Sequence, residues 1–313
     1  MSMLRLLSLS ALLAGLIALP ALAAPPPPDV VVTVKPLHSL VSGVMQGVGE
    51  PYLLVRGAAN PHAFALRPSD AKALSGAELV VWAGPGVETF LEKPLSTLAR
   101  SAQVLTLVKE PSVRVLPVRK GGAWEAHDHD HAHEDRPDAE LGSDGHVWLD
   151  PLNAKAITDL IAARLSALDP ARAPAYQANA ARQKQSIDAL DAEMRAALSP
   201  LKDRPFIVFH DAYHYLEDRY GLNAAGAITV SPDQPPGAAR LSALRERINQ
   251  AGAVCIFAEP QFEPALVRTL AQGTKARTGV LDPEGANIPD GPNLYGQLMR
   301  FNLRSLVDCL SGG

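Results

Sequence analysis

Residues 174–198 contain no glycine and, after Pro174, no proline. Tyr176, Ala180, Ile187, Leu190, Met194 and Leu198 recur there at helical spacing and form one apolar side. The run predicts a single stiff helix. At 1.5 Å per residue it would be roughly 35–40 Å long, the width of a domain. A rod of that length either crosses a core or joins two of them, and the flanking sequence decides which.

Before the rod, strand and helix patterns alternate. Residues 30–34 are a β-branched run that reads as a buried strand, and Leu37, Leu40, Val41 and Val44 follow at helical spacing. Residues 52–55 read as a strand, 71–74 as a short helix opened by Ser69 and Asp70, and 79–82 as a strand stopped by Gly84-Pro85-Gly86. A helix is expected over 152–168, with Ala156, Ile157, Leu160, Ile161 and Leu165 on one stripe. After Pro200 the alternation restarts: strands at 206–209, 227–230, 254–257 and 280–281, helices at 237–251 and 294–310. Such alternation implies parallel sheets with helices on their faces. The expected fold class is therefore α/β, two lobes with central parallel-type sheets joined by one long rigid helix. The expected boundaries are a first lobe over 25–169, the linking helix over 170–200 and a second lobe over 201–313.

The first 24 residues stand apart. Arg5 precedes an almost wholly apolar run over 6–19, then Pro20 and a small-x-small pattern, Ala21-Leu22-Ala23. The run is too short to cross a bilayer comfortably, and the pattern reads as a secretory signal peptide cut after Ala23 or Ala24, with an uncleaved anchor as the alternative. No cysteine lies at the cut, which argues against a lipid anchor. The formal net charge of -4 shows no basic patch, so nucleic acid is not the expected partner. Export places the two cysteines, Cys255 and Cys309, in an oxidising compartment where a pair usually forms a disulfide, worth roughly 4 kcal/mol on the chain-entropy model. Their sharing a metal site is the alternative at this stage, although they lack close CxxC-type spacing.

The nine histidines carry the chemical signal. His210 directly follows the strand expected at 206–209; His62 and His146 sit at loop edges. Asp282 follows the strand expected at 280–281. In open α/β sheets, ligands bind beyond the carboxyl ends of strands, so both halves aim imidazole or carboxylate groups at a shared cleft. Three neutral imidazoles plus one oxygen suit Zn²⁺; Mn²⁺ would favour more carboxylate. Residues 121–145 are polar with almost no aliphatic side chains and read as a mobile loop. Within it His127, His129, His131 and His133 alternate with other residues, a low-affinity metal-gathering tract or else a solvated linker. His38 is expected to serve a structural role at a helix start. His214 lies four residues after His210, but a strand precedes His210, which disfavours a shared helix face.

The segments NPHAFALRPSD (60–70), LVVWAGPGVETFLEKPL (79–95), HVWLDP (146–151), FIVFHDAYHYLE (206–217), GAAR (237–240), CIFAEPQF (255–262) and LDPEGANI (281–288) together resemble the zinc-uptake group of the cluster A-I metal-binding proteins, the periplasmic binding proteins of zinc ABC importers. The resemblance covers nearly all the chain after the leader. It implies two lobes bridged by a rigid helix with Zn²⁺ between them, His62 and His146 as ligands from the first lobe, and His210 from the second. Asp282 matches an aspartate that ligates metal in some members only, so Asp282 or water completes the shell. Histidine at the place of His210, where manganese members often carry glutamate, supports zinc. The Cys255–Cys309 pair matches a disulfide of zinc-specific members. Some zinc members place Glu directly before the equivalent of His62; here Pro61 stands there. The implied partners are an inner-membrane permease and its ATPase, and the implied protein is a periplasmic monomer without enzymatic activity. Two other readings stand beside it. One is a secreted zinc hydrolase using Glu259 as base, against the simpler view of Glu259 as a supporting carboxylate. The other is an adhesin on the same scaffold.

Overall fold

The computed structural model describes residues 26–119, 124, 142–229 and 237–312. The expected leader over 1–24 and the tract His127, His129, His131 and His133 lie outside the described residues.

Two four-stranded sheets are present, and every pairing within them is parallel. The first comprises β1 (Val30–Val32), β2 (Tyr52–Leu53), β3 (Leu79–Trp82) and β4 (Gln103–Thr106), in the order β2-β1-β3-β4. The second comprises β5 (Phe206–His210), β6 (Ala224–Thr229), β7 (Cys255–Ala258) and β8 (Arg277–Val280), in the order β6-β5-β7-β8. The two orders are the same topology repeated. The inner strands β1, β3, β5 and β7 are buried along their whole length, as continuous β-branched and apolar runs require when helices cover both faces. β8 alternates half-buried and exposed residues and forms an edge.

Nine α-helices lie among the described residues: α1 (Lys35–Val44), α2 (Pro68–Gly76), α3 (Glu92–Thr97), α4 (Pro151–Leu168), α5 (Ala173–Leu198), α6 (His214–Tyr220), α7 (Ala238–Ala251), α8 (Ala265–Ala271) and α9 (Leu294–Leu310). α4 starts where Asp150 accepts the Leu152 N–H at 2.9 Å and Pro151 occupies the first turn; it stops before Pro170. The rod, α5, runs 26 residues and buries Tyr176, Ala180, Ile187, Leu190, Met194 and Leu198 against α1, α4 and α9. It is fastened at both ends. Asn179 donates to the carbonyls of Val44 and Gln46, both at 2.8 Å, closing the C-terminal end of α1. Asp191 accepts from Arg219 Nε and the Tyr220 hydroxyl on α6, both at 2.9 Å. One continuous apolar core extends from β1 through α5 to β5 and α9.

Four short elements escape the sequence pattern: β4, α3, α6 and α8. β4 shows only Leu105 to the interior, and the helices have six or seven residues, too few for a period to declare itself. The strand expected at 280–281 lies at Arg277–Val280 because its Thr278 and Gly279 carry no hydrophobic signal. Gly279 is there for space: a Cβ on it would come within 2.6 Å of the Phe257 ring. The expectation of a loop over 121–145 needs correcting at its end. Residues 142–145 are packed: Val118 N–H donates to Gly142 O at 2.8 Å, Asp144 N–H to Leu116 O at 2.9 Å, and Asp144 is buried.

Cys255 at the start of β7 and Cys309 near the end of α9 form a disulfide, which removes both from the list of metal ligands. It crosses 54 residues of sequence, with Cα atoms 6.1 Å apart. Replacing both with serine is expected to lower the unfolding free energy by about 2–4 kcal/mol, measured by urea denaturation of oxidised wild type against the double variant.

Candidate metal centre

Each strand order reverses direction between β1 and β3 and between β5 and β7, and the carboxyl ends there open a crevice. His210 is the last residue of β5. Glu259 directly follows β7, its neighbour in the sheet. Adjacent parallel strands thus set the two side chains side by side: His210 Nδ1 stands 2.8 Å from Glu259 Oε1 and 2.7 Å from Oε2. An ionised carboxylate only accepts, so Nδ1 carries the proton and Nε2 presents a lone pair. The glutamate is 2 % exposed and the histidine 4 %, so no water competes for this bond.

His146 is held in the same manner from the first unit. Asp144 Oδ1 accepts the backbone N–H of His146 at 3.0 Å and its Nδ1–H at 2.8 Å. The Asp-Gly-His sequence makes this possible: a short Asx-type turn folds the aspartate back onto the residue two positions on, and Gly145 passes Val87 where a Cβ would approach to 2.8 Å. His62 comes from the loop after β2. Asn60 accepts the His62 N–H at 3.0 Å and Pro61 begins a single 3-10 turn, Pro61–Ala63. The base of that loop is closed by buried Asp70, which accepts from Arg67 N at 2.9 Å and the Tyr52 hydroxyl at 2.9 Å.

The three imidazoles converge. One ligand nitrogen from each of His62, His146 and His210 lies within 4.8 Å of the others. Ring centroids are 5.6, 5.7 and 5.3 Å apart. His210 Nε2 and His146 Nε2 face each other at 3.5 Å, and His62 Nε2 is buried with no protein partner among the described residues. The three rings line a cavity of about 10 Å³, room for a single ion and nothing larger. The protonation states are set apart as well. Burial, reinforced by the two neighbouring imidazoles, pushes His62 well below the usual histidine value. Burial alone would lower His210 too, but the Glu259 carboxylate outweighs it and the net direction is upward.

The fourth residue singled out in the sequence, Asp282, is not brought into this group. Its Oδ1 accepts from Gln261 Nε2 at 3.0 Å, Glu284 N at 2.9 Å and Gly285 N at 2.8 Å; Oδ2 accepts from Ala286 N at 2.7 Å. The carboxylate is occupied as the anchor of the 282–286 turn. His214 opens α6 and lies outside the group, so His210 and His214 share no helix. His38, on α1, bonds the Pro51 carbonyl at 3.0 Å and Ser42 at 3.4 Å, the structural role expected of it. A separate cavity of about 880 Å³ opens beside β8 and α9 and is lined by none of the three histidines.

The family model described as zinc-uptake complex component A, periplasmic, matches residues 30–309. The chain belongs to this family. It is 49% identical over 305 residues to the high-affinity zinc uptake system protein ZnuA of Brucella suis, covering 90% of this chain and 91% of that one. The ZnuA of Paracoccus denitrificans is 37% identical, covering 95% of each. A solved ZnuA crystal structure superposes with a TM-score of 0.75 at 24% identity, over 91% of this chain and 99% of that one. The two-sheet fold with its bridging rod is thus the fold of this zinc-uptake family.

Asp144 escaped the sequence reading because it lay at the end of an acidic, aliphatic-poor stretch. The signal available was its place two residues before His146 across a glycine. In the metal-free protein, imidazole NMR titration is expected to show His210 taking up its proton above pH 6.5, while His62 stays neutral well below it. The sign follows from the opposed environments: Glu259 favours the His210 cation, whereas burial beside two imidazoles excludes a charge from His62.

Proposed function

We propose that this chain captures Zn²⁺ outside the cytoplasmic membrane and delivers it to the permease of an ABC importer, with His62, His146 and His210 as the protein's ligands. The observation that carries the reading is the facing pair of Nε2 atoms, each fixed by a carboxylate on its other nitrogen. Their 3.5 Å separation is close to the roughly 3.4 Å that two ligands on a tetrahedral zinc take at 2.0–2.1 Å bonds. The His62 nitrogen, within 4.8 Å of the other two, closes in to reach the same ion in this reading. All-nitrogen donors favour zinc over the harder divalent ions. The relatives named for high-affinity zinc uptake support the same cargo. Water takes the fourth position in this reading, since four N–H groups already occupy Asp282.

The rest of the reading follows the sequence. The leader over 1–24 directs export to the periplasm and is removed. The lobes over 25–169 and 201–313 work as a monomer around the helix over 170–200. His127, His129, His131 and His133 gather zinc loosely, and the permease with its ATPase receives it. No bond is broken. A hydrolase reading needs a free base and room for substrate. Glu259 has both oxygens on His210 Nδ1, and the cavity admits only an ion.

The test is chelator competition with purified protein. His210→Ala is expected to weaken zinc binding at least about 100-fold, and Glu259→Gln by about 10–100-fold, the usual cost of losing a partner that orients a ligand. A His210→Ala protein that held zinc as tightly as wild type would remove the site. Zinc affinity is also expected to fall as pH drops, beginning above 6.5. His210 must release its proton to bind, and Glu259 holds that proton more firmly than usual. Isothermal titration across pH 5.5–8 reads this directly.

A further inference from the structure

Asp211, the residue after His210, carries an ion pair that crosses between the two sheet units. Arg119 Nε lies 3.0 Å from both Asp211 oxygens, and Arg119 Nη2 also bonds Asp211 Oδ1. The same guanidinium reaches Glu217 on α6, at 2.5 Å from Nη1 to Oε2 and 3.1 Å from Nη2 to Oε1. All three side chains are largely covered: 17 % of Arg119, 10 % of Asp211 and 7 % of Glu217 remains exposed. The Trp124 ring covers the guanidinium, with its centroid 3.4 Å from Cζ. Arg119 itself belongs to the first unit. It follows a bridge in which Pro117 pairs antiparallel with Ser143, and Arg114 nearby is pinned to α4 through Asn153 at 2.8 Å in both directions. One strand of this short stem thus leads to Arg119 and His210. The other ends at Asp144, which holds His146. Tyr215 of α6 ties the two strands together, accepting Leu116 N–H at 3.0 Å and donating to Asp144 O at 2.6 Å.

We infer that Arg119 is a positioning residue that latches the end of β5 to the first unit and sets the rate at which zinc leaves. The inference rests on the zinc-binding reading above. An ion held by imidazoles from both units escapes when the units part at the ligands, and His210 is the one ligand contributed by the second. The bidentate guanidinium bonds the residue next to it, so β5 cannot withdraw from His146 until these charge-assisted bonds break. Breaking a buried, hydrogen-bonded charge pair acts mainly on dissociation rates, because the partner groups are already paired in the closed state and unpaired on the way out.

The experiment compares zinc release into excess chelator by stopped flow for wild type, Arg119→Met and Arg119→Lys. Arg119→Met leaves two carboxylates without their cation and threatens folding, so the neutral triple variant R119M/D211N/E217Q accompanies it. Dissociation is expected to quicken about tenfold or more in both the single and the triple variant, with the association rate nearly unchanged, and by less in Arg119→Lys. A residue that only supported the fold would lower the melting temperature and leave release from the folded protein unaltered. Release within twofold of wild type in the folded triple variant overturns the latch. Absence of zinc binding by wild type overturns the site itself, a distinct outcome.

Discussion

The arrangement on which the rest of the molecule depends is a pair of imidazoles facing each other, each held from behind by a carboxylate. Asp144 and Glu259 each take the proton side of an imidazole, and the remaining lone pairs of His146 and His210 are left facing across 3.5 Å. In a water-filled cleft that would matter little. Here His146 and His210 are 6 % and 4 % exposed, and a buried polar atom without a partner costs about 1–3 kcal/mol. His62 Nε2, buried with no protein partner among the described residues, lies beside them at the same small cavity. Protonating all three is no remedy, because each added proton repels the next. A divalent cation among the three rings would take one nitrogen lone pair from each. The carboxylates do double service: they fix ring orientation and raise the electron density of the ligand nitrogen.

Repetition of one topology supplies this geometry. In both sheets the first strand lies between the second and the third, so the ends of β1 and β3, and of β5 and β7, form matching crevices. Each crevice is closed by a buried glutamate that follows the third strand. In the first unit it is Glu88, which accepts from Thr33 Oγ1 at 2.5 Å, Ala83 N at 3.1 Å and Gly84 N at 3.0 Å; burial pushes its carboxyl up to about 7. In the second it is Glu259. Only in the second unit does the first strand end in an imidazole. The first unit brings its imidazoles from loops instead: His62 after β2, and His146 just before α4. α9 secures the second crevice from behind. Asn302 pairs with the backbone of Asp282 at 2.8 and 2.7 Å, and Cys309 fastens β7, the strand that presents Glu259.

Much of this was legible in the chain because it rests on long patterns. The rod announced itself through 25 residues free of interior breakers, and the buried strands through β-branched runs. His62, His146 and His210 stood out as imidazoles at strand or loop ends, where a parallel sheet has its crevice. What the pattern did not carry was pairing between side chains remote in sequence. Nothing in the order of residues couples His210 to Glu259 across 49 positions, or Arg119 to Asp211 across 92. Asp282 shows the same limit from the other side. It sits beyond a strand as a ligand should, yet its oxygens go to the backbone of the turn it opens, and only three-dimensional structure shows that the N–H groups of residues 284–286 reach it.

The rod limits how such a site can open. α5 is tied to α1 through Asn179 and to α6 through Asp191, and its apolar side is part of the core shared by both sheets. A wide hinge would expose that core, at about 25 cal/mol for each Å² of apolar surface brought into water. Parting the ligands by an ångström or two at the mouth exposes almost none. The inexpensive motion is therefore local, at the strand end that carries His210 and at the loops that carry His62 and His146. Those segments are held by hydrogen bonds and ion pairs, which break one at a time, whereas the core separates only as a whole. A protein that must hold an ion firmly and still surrender it is served by that division: apolar packing keeps the frame, and polar contacts at the rim govern the exchange.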